Sequence, residues 1–442
     1  MTSKSVVLLG AGSTVFTPGL LTDLAGSAVF DDFTVHLVDI HPDAAQVMAD
    51  LGRRIARQHG SNLQVEAHTD RREALRDAQF VATTIAVGSA DGWRADLDIP
   101  ERHGIQQTVG DSVGPGGVLR ALRHVPELVS IAEDVADLAP QSWLLNYSNP
   151  LTANVRAIVS QTPVRAIGLC HGTMHTKAQL CTELGLDPTE VEATFAGLNH
   201  LCWLLDIHQE GNDLYPKVRD LVQVTAGAGE RTAADGVHGQ VSADLMSRYG
   251  LYPAPGDRHV AEFFTNYLVL QDDGELAWGL RGGLDMTRQY IAEKGVLWDR
   301  LREQAAGRAP VDSMRNQEAE RLVSIAEALV LGRDHVELAV NLPNGGAIPN
   351  LPSWAVVEVP AVVGAAGIRG VDVGPLPDDI AAVLTARAEQ QELTVRAAVT
   401  GDRELAVDAL TDDPLVPDRA TAVSILDQAV VAHAPALNRF AR

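Results

Sequence analysis

Cysteine is scarce in this chain of 442 residues: Cys170, Cys181 and Cys202 form an odd set with no C-x-x-C spacing. That argues against a disulfide framework and predicts reduced thiols, so a cysteine that matters here acts as a nucleophile or a metal ligand. Basic blocks are also missing. Thirty-five Lys and Arg face 58 Asp and Glu, a formal net charge of −23, and a surface of that sign repels nucleic-acid phosphates and anionic lipid. Neither nucleic acid nor a membrane is an expected partner. No apolar run approaches the ~20 residues of a membrane-spanning helix. The chain starts without a secretory leader and runs straight into Val6–Leu9, which predicts a cytoplasmic location. There is no fixed-period repeat and no low-complexity tract. What is present is 46% hydrophobic residues, ample for a large core; at ~100–200 residues per domain the length allows two or three domains.

The first third alternates strand and helix patterns. Strands are predicted at Val6–Leu9, Thr34–Val38, Phe80–Val87, Trp143–Leu145 and Ala166–Leu169, and helices at Pro18–Ala25, Ala44–His59, Leu119–Leu138 and Thr152–Ser160. That alternation predicts an α/β fold, a Rossmann-like doubly wound parallel sheet. After about residue 195 the rhythm changes. Strand candidates Leu204–His208 and Val336–Val340 lie among helix candidates Ala261–Leu270, Asn316–Val330 and Pro377–Thr400, so residues 196–442 are expected to form a second, α+β domain beside a nucleotide-binding domain at 1–195. Thr225–Gly239, Gly-rich and poor in large apolar residues, reads as a surface loop or a lid.

Four places carry chemistry. Gly10-Ala-Gly12-Ser13-Thr14 follows a strand and opens a helix, where glycines let a pyrophosphate approach backbone N–H groups; the third glycine of the fingerprint is replaced by Val15. Asp39 ends the second strand, where an acid accepts from both ribose hydroxyls and repels a 2′-phosphate, favouring NAD over NADP. Gly110-Asp111-Ser-Val-Gly114-Pro-Gly116-Gly117 is too Gly-dense for a strand or helix interior, and Asp111 either orients a catalytic group or caps a turn. Asn149, at the end of Trp143-Leu-Leu-Asn146-Tyr-Ser-Asn149-Pro150, faces the ligand crevice of an open sheet or makes an Asx turn. The next strand ends in Cys170-His171, and His200 follows 30 residues later. A thiolate and an imidazole suit a divalent transition metal; a structural cysteine and a core histidine are the plainer alternative.

Taken in order, these motifs resemble glycoside hydrolase family 4, the NAD- and divalent-metal-dependent glycosidases. The resemblance rests on Gly10-x-Gly12-Ser13-Thr14, Gly114-Pro-Gly-Gly117, Pro140-x-Ser142, Asn146-x-x-Asn149-Pro150 and Arg165-x-Ile167-Gly168-x-Cys170. Gly197-x-Asn199-His200 and Tyr249-Gly-Leu-Tyr252-Pro253 with His259 and Glu262 complete it. It implies that Cys170 and His200 hold Mn²⁺ or a similar ion, that Asn149 contacts sugar hydroxyls, and that Gly10, Gly12, Ser13, Thr14, Asp39 and Asn146 serve NAD. It further implies transient oxidation at sugar C3, loss of the acidified C2 proton to a tyrosine, elimination of the aglycone, water addition and return of the hydride. Tyr249 is favoured over Tyr252 as the base, with His171 and Asp111 as candidates for leaving-group acid or water positioning. Cys170-His171-Gly172 resembles the branch acting on non-phosphorylated α-glucuronides, α-galactosides or α-glucosides. Arg94 and Arg258 would suit a substrate carboxylate, and a homodimer or homotetramer is implied. The rival reading is an NAD-dependent dehydrogenase of a sugar or 2-hydroxy acid, which needs no thiolate–metal site.

Overall fold

In a computed structural model, described here for residues 4–227, 239–311 and 320–441, the N-terminal strands form the parallel part of one large sheet. They are β1 (Ser5–Leu9), β2 (Thr34–Val38), β3 (Gln64–His68), β4 (Phe80–Thr83), β5 (Trp143–Asn146) and β6 (Arg165–Gly168), in the spatial order β3-β2-β1-β4-β5-β6 with every neighbour parallel. Side chains alternate between two buried layers. Val6, Leu8, Val35, Leu37 and Phe80 join one core, whereas Val7, Leu9, Val38 and Val81 join the other. A parallel sheet covered by helices on both faces produces that pattern of near-continuous apolar strands.

The later strands extend the same sheet. They are β7 (Val191–Leu198), β8 (Leu201–Gln209), β9 (Asn212–Asp213), β10 (Tyr252–Ala254), β11 (His335–Pro343), β12 (Val356–Gly364) and β13 (Gly367–Gly370). β11 joins β6 antiparallel at Asn341 and Gly168, and the order then runs β12, β7, β8, β10. Residue 195 therefore falls inside β7. Among the described residues no helix is long and apolar enough to cross a membrane.

Most predicted elements form, with instructive departures. The edge strand β3 went unread because Gln64-Val-Glu-Ala-His68 buries little besides Val65. The strand at Phe80 stops at Thr83, leaving residues 84–88 free to line the crevice. Gly114–Gly117 is the first turn of the long helix Gly114–Leu138, not a loop. A Cβ at Gly116 would lie 2.4 Å from Gln107 Nε2 and one at Gly117 2.6 Å from the Ser112 carbonyl carbon, so close packing demands these glycines. The helix expected over Ala261–Leu270 is a single 3₁₀ turn, Ala261–Phe263. Arg387 donates to the Glu262 and Phe263 carbonyls at 3.4 and 2.5 Å, taking the acceptors a continuing helix needs. Helix Leu322–Leu331 stands where Asn316–Val330 was expected; residues 312–319, and most of the Thr225–Gly239 segment, lie outside the described residues.

Candidate active site

Two constructions share the edge of the sheet where the parallel strands end. The first is a backbone cradle. Gly10, at φ +86°, and Ala11 donate to the Val38 carbonyl at 2.9 and 3.0 Å, locking the β1 turn onto the end of β2. Asp39 then receives the Gly12 N–H at 2.8 Å on Oδ2 and the His41 N–H at 2.9 Å on Oδ1. A Cβ on Gly12 would sit 2.8 Å from that carboxylate oxygen, so glycine is required for the acid to reach the turn. Ser13 Oγ accepts the Phe16 N–H at 3.2 Å, and helix Thr17–Gly26 begins without a side-chain N-cap. Thr14 Oγ1 is buried with no hydrogen-bond partner among the described residues. A glycine turn, an acid at the next strand end, an uncapped helix N-terminus and an orphaned hydroxyl fit a dinucleotide.

The second construction is a cluster of side chains. Asn149 Nδ2 donates to Asp111 Oδ2 at 2.8 Å, and Ser112 Oγ donates to Asp111 Oδ1 at 2.8 Å. Ser112 Oγ lies 2.9 Å from His200 Nδ1. The single hydroxyl proton is spent on Asp111, so His200 carries its proton on Nδ1 and keeps the Nε2 lone pair for a ligand. Burial opposes charge on Asp111, but His200, Arg120 and the bonds from Ser112 and Asn149 outweigh it and hold the carboxyl below its usual range. Burial likewise lowers His200, against the pull of Asp111. Cys170 follows β6. Burial, with Glu358 nearby, pushes its thiol up to about 12, the Gly172 N–H at 3.4 Å notwithstanding. His200 itself sits at φ +67° in the tight turn between β7 and β8.

The segment around Asp257 to Glu262 ties the cluster together. Asp257 receives the Val241 and Ser242 N–H groups at 2.9 Å each and so caps helix Gln240–Tyr249. The His259 ring packs edge-on to His200 with centroids 4.5 Å apart. Glu262, 2% exposed, accepts the N–H groups of Thr108, Val109 and Gly110 at 2.8 Å and thereby sets the loop that carries Asp111. Beneath the cluster, Glu358 accepts from Asn199 at 3.0 Å and Asn341 at 2.9 Å, while Asn199 Oδ1 is buried without a partner among the described residues. A thiol, an imidazole with a free lone pair and unspent amide oxygen form a donor set that fits a divalent transition metal. Hydrogen bonds link the two constructions: Thr84 Oγ1 to the Gly10 carbonyl at 2.9 Å, then Ser148 Oγ to the Ile85 carbonyl at 2.8 Å beside Asn149.

Of the residues expected from sequence, the structure gathers Asp111, Asn149, Cys170 and His200. His171 is exposed at the N-cap of helix Gly172–Glu183 and, like Arg258, acts electrostatically on His200. Gly10, Gly12, Ser13, Thr14 and Asp39 form the cradle. Asn146 is fully buried, its Oδ1 accepting from Thr83 at 2.9 Å and its Nδ2 donating to the Ser148 carbonyl at 2.9 Å, which shapes the end of β5 beside Asn149. Arg94 pairs with Asp91 at 3.5 Å and lines a hollow with Arg102, Arg288 and Asp427, a lining that shares no residue with the cluster. Tyr249 packs on Trp203 and Phe264, at centroid distances of 5.1 and 6.0 Å, and no hydrogen bond or ring contact among the described residues joins it to Cys170 or His200. Tyr252 is fully buried in β10. Ser112, Asn199 and Glu358 were not assigned roles from sequence. Glu358 did carry a signal, as the one charged residue in the apolar strand Val356–Gly364.

Comparison with known proteins decides between a glycosidase and a dehydrogenase lineage. Residues 5–186 match the Family 4 glycosyl hydrolase description and residues 195–416 match the Family 4 glycosyl hydrolase C-terminal domain. The chain belongs to glycoside hydrolase family 4. An alpha-galactosidase of Bacillus subtilis is 31% identical over 93% of both chains, and an alpha-galacturonidase of the same bacterium is 33% identical over 96% of both. The crystal structure of lplD from Bacillus subtilis superposes with a TM-score of 0.85 at 31% identity, covering 97% of this chain and 100% of that one. A 6-phospho-alpha-glucosidase from gut microorganisms, solved with NAD and Mn²⁺, shares the fold at a TM-score of 0.82 and 22% identity, with 98% of this chain and 99% of that one covered.

Proposed function

We propose that this family 4 enzyme hydrolyses a non-phosphorylated α-glycoside, an α-galactoside, α-glucoside or α-uronide, using NAD and a divalent metal such as Mn²⁺. The observation that supports the reading is the run of hydrogen bonds from the Gly10 turn through Thr84 and Ser148 to Asn149 and Asp111, with His200 beside Ser112 and Cys170 within electrostatic reach of Asp111. When bound, NAD supplies reversible hydride acceptance at the sugar and the metal supplies polarisation of neighbouring sugar oxygens. Cys170 and His200 would hold the metal, Gly12 to Thr14 the pyrophosphate and Asp39 the ribose. The relatives named alpha-galactosidase and alpha-galacturonidase support the unphosphorylated substrate.

The chain's own residues divide the remaining work. Asn149, steered by Asp111, presents its amide to sugar hydroxyls. Asp111, acceptor-only when ionised, suits positioning water, whereas exposed His171 suits donating a proton to the leaving oxygen. Tyr249, half-buried on the helix that Asp257 caps, is the proposed base at C2. Burial and Asp379 hold its hydroxyl above the usual range, against Arg248, so base function requires a cation close to its oxygen. Arg258 is the proposed partner of a substrate carboxylate. The 1–195 and 196–442 division of labour and assembly as a homodimer or homotetramer belong to the same reading.

The test is hydrolysis of nitrophenyl α-galactoside, α-glucoside and α-galacturonide, with and without NAD⁺ and Mn²⁺. Cleavage that needs both, without accumulating NADH, supports the proposal. Steady NADH formation without cleavage makes the chain a dehydrogenase and sinks it.

A further inference from the structure

Far from the cluster, at the opposite end of the strand order, β2 and β3 place three metal-ligating side chains on one face. His36 pairs with Glu66 across the strands, and His68 follows two residues later, so strand alternation turns it to the same side. His36 Nδ1 lies 3.0 Å from His68 Nε2 and 3.4 Å from Glu66 Oε2, and His68 Nε2 lies 3.5 Å from that same oxygen. With Zn–N and Zn–O bonds of ~2.0–2.1 Å and tetrahedral angles, ligand atoms of a zinc site stand about 3.3 Å apart. The triangle in the protein has that size without any side chain moving.

We propose that His36, Glu66 and His68 form a zinc site separate from the catalytic metal, with at least one position left for water. Two imidazoles and one carboxylate favour zinc over Mg²⁺ or Ca²⁺, which take oxygen ligands. The imidazoles are each 19% exposed and Glu66 57%, so an ion has an open path from solvent. Burial, and then the facing His68, holds His36 toward its neutral, metal-binding form, with Glu66 pulling the other way. An ion here would staple the edge strand β3 to β2, whose next residue is Asp39. The Asp39 N–H donates to the His68 carbonyl at 3.2 Å, so the staple sits one peptide from the acid assigned to the nucleotide. The site does not depend on the glycosidase reading.

The test compares wild type, a His36→Gln/His68→Gln variant and Cys170→Ser, each stripped by a chelator, dialysed against buffered Zn²⁺ alone and analysed for metal per chain. The double histidine variant is expected to carry about one zinc ion fewer than wild type, and Cys170→Ser to retain that ion. Equal zinc content in wild type and the double variant overturns the site. Should the double variant fail to fold, Glu66→Gln, an exposed change, answers the question by competition with a chromophoric chelator: affinity reduced about tenfold or more supports the site, and unchanged affinity rejects it.

Discussion

The proposed nucleotide cradle is built from residues 10–41 with Thr84 beside it, largely by backbone groups, whereas the Cys170–His200 cluster draws side chains from residues 111–112, 149, 170, 199–200, 257–262 and 358. The first is a local shape, set by the glycines and the acid of one strand–turn–helix–strand unit. The second exists only when distant segments are packed correctly, and buried polar groups such as Glu262 and Glu358 enforce the packing. Damage to the cradle should therefore weaken cofactor affinity, and damage to the cluster should remove turnover.

Five predictions sharpen or break that contrast. Cys170→Ser should lower metal-dependent turnover by at least about 100-fold, more than the loss of a group outside the ligand set, while NAD affinity by calorimetry stays within twofold. Asp39→Ala should do the reverse. Loss of charged hydrogen bonds worth ~1.5–3 kcal/mol weakens NAD binding about 10- to 100-fold, with turnover at saturating NAD close to wild type. Unchanged affinity would remove Asp39 from the ribose role.

Glu262→Ala leaves the Thr108, Val109 and Gly110 N–H groups without their acceptor, at ~1–3 kcal/mol for each buried group unpaired. Denaturation should show a stability loss of about 3 kcal/mol or more. Glu262 also has a pH signature. Burial raises its carboxyl from 4.5 to about 7, against its backbone hydrogen bonds. The folded state thus binds that proton more tightly than the unfolded state. Its contribution to stability is complete below pH 4.5 and is lost as pH rises through about 7, with a slope of up to ~1.4 kcal/mol per pH unit. Glu262→Gln should flatten that slope in urea titrations across pH 4.5–7, and an unaltered slope assigns it to another group. Smallest of all, Arg94→Ala should change kcat/KM less than twofold, since Arg94 lies outside both constructions; a large loss on a uronide would return it to the site.

Legibility from sequence follows the same divide. The glycine turn with its acid, and the parallel strands other than β3, were readable because glycine turns, apolar runs and strand ends are local signals, and the same signals marked Asn149 and Cys170 as candidates. Asp111 stood out by its Gly-dense surroundings and His200 as an imidazole following Cys170, and the family resemblance added the metal-ligand expectation for His200. Ser112 was not readable, because its part, giving its hydroxyl proton to Asp111 while its oxygen faces His200 Nδ1, exists only in the packed turn. The partners of Asn146 were unreadable for a related reason: a polar residue at a strand end looks ligand-facing, and only the packed structure shows Thr83 and Ser148 bonded to its amide. The helix expected over Ala261–Leu270 failed because Arg387, more than a hundred residues away, takes its carbonyls. The close packing at Gly116 and Gly117 was likewise invisible without Gln107 and Ser112 beside them.

The most direct test of the central claim is cleavage of the preferred α-glycoside in D₂O with NAD⁺ and Mn²⁺, followed by mass and NMR analysis of the released sugar. The account predicts solvent deuterium at C2, because the base takes that proton before the glycosidic bond breaks. Efficient cleavage with C2 fully protonated would contradict it.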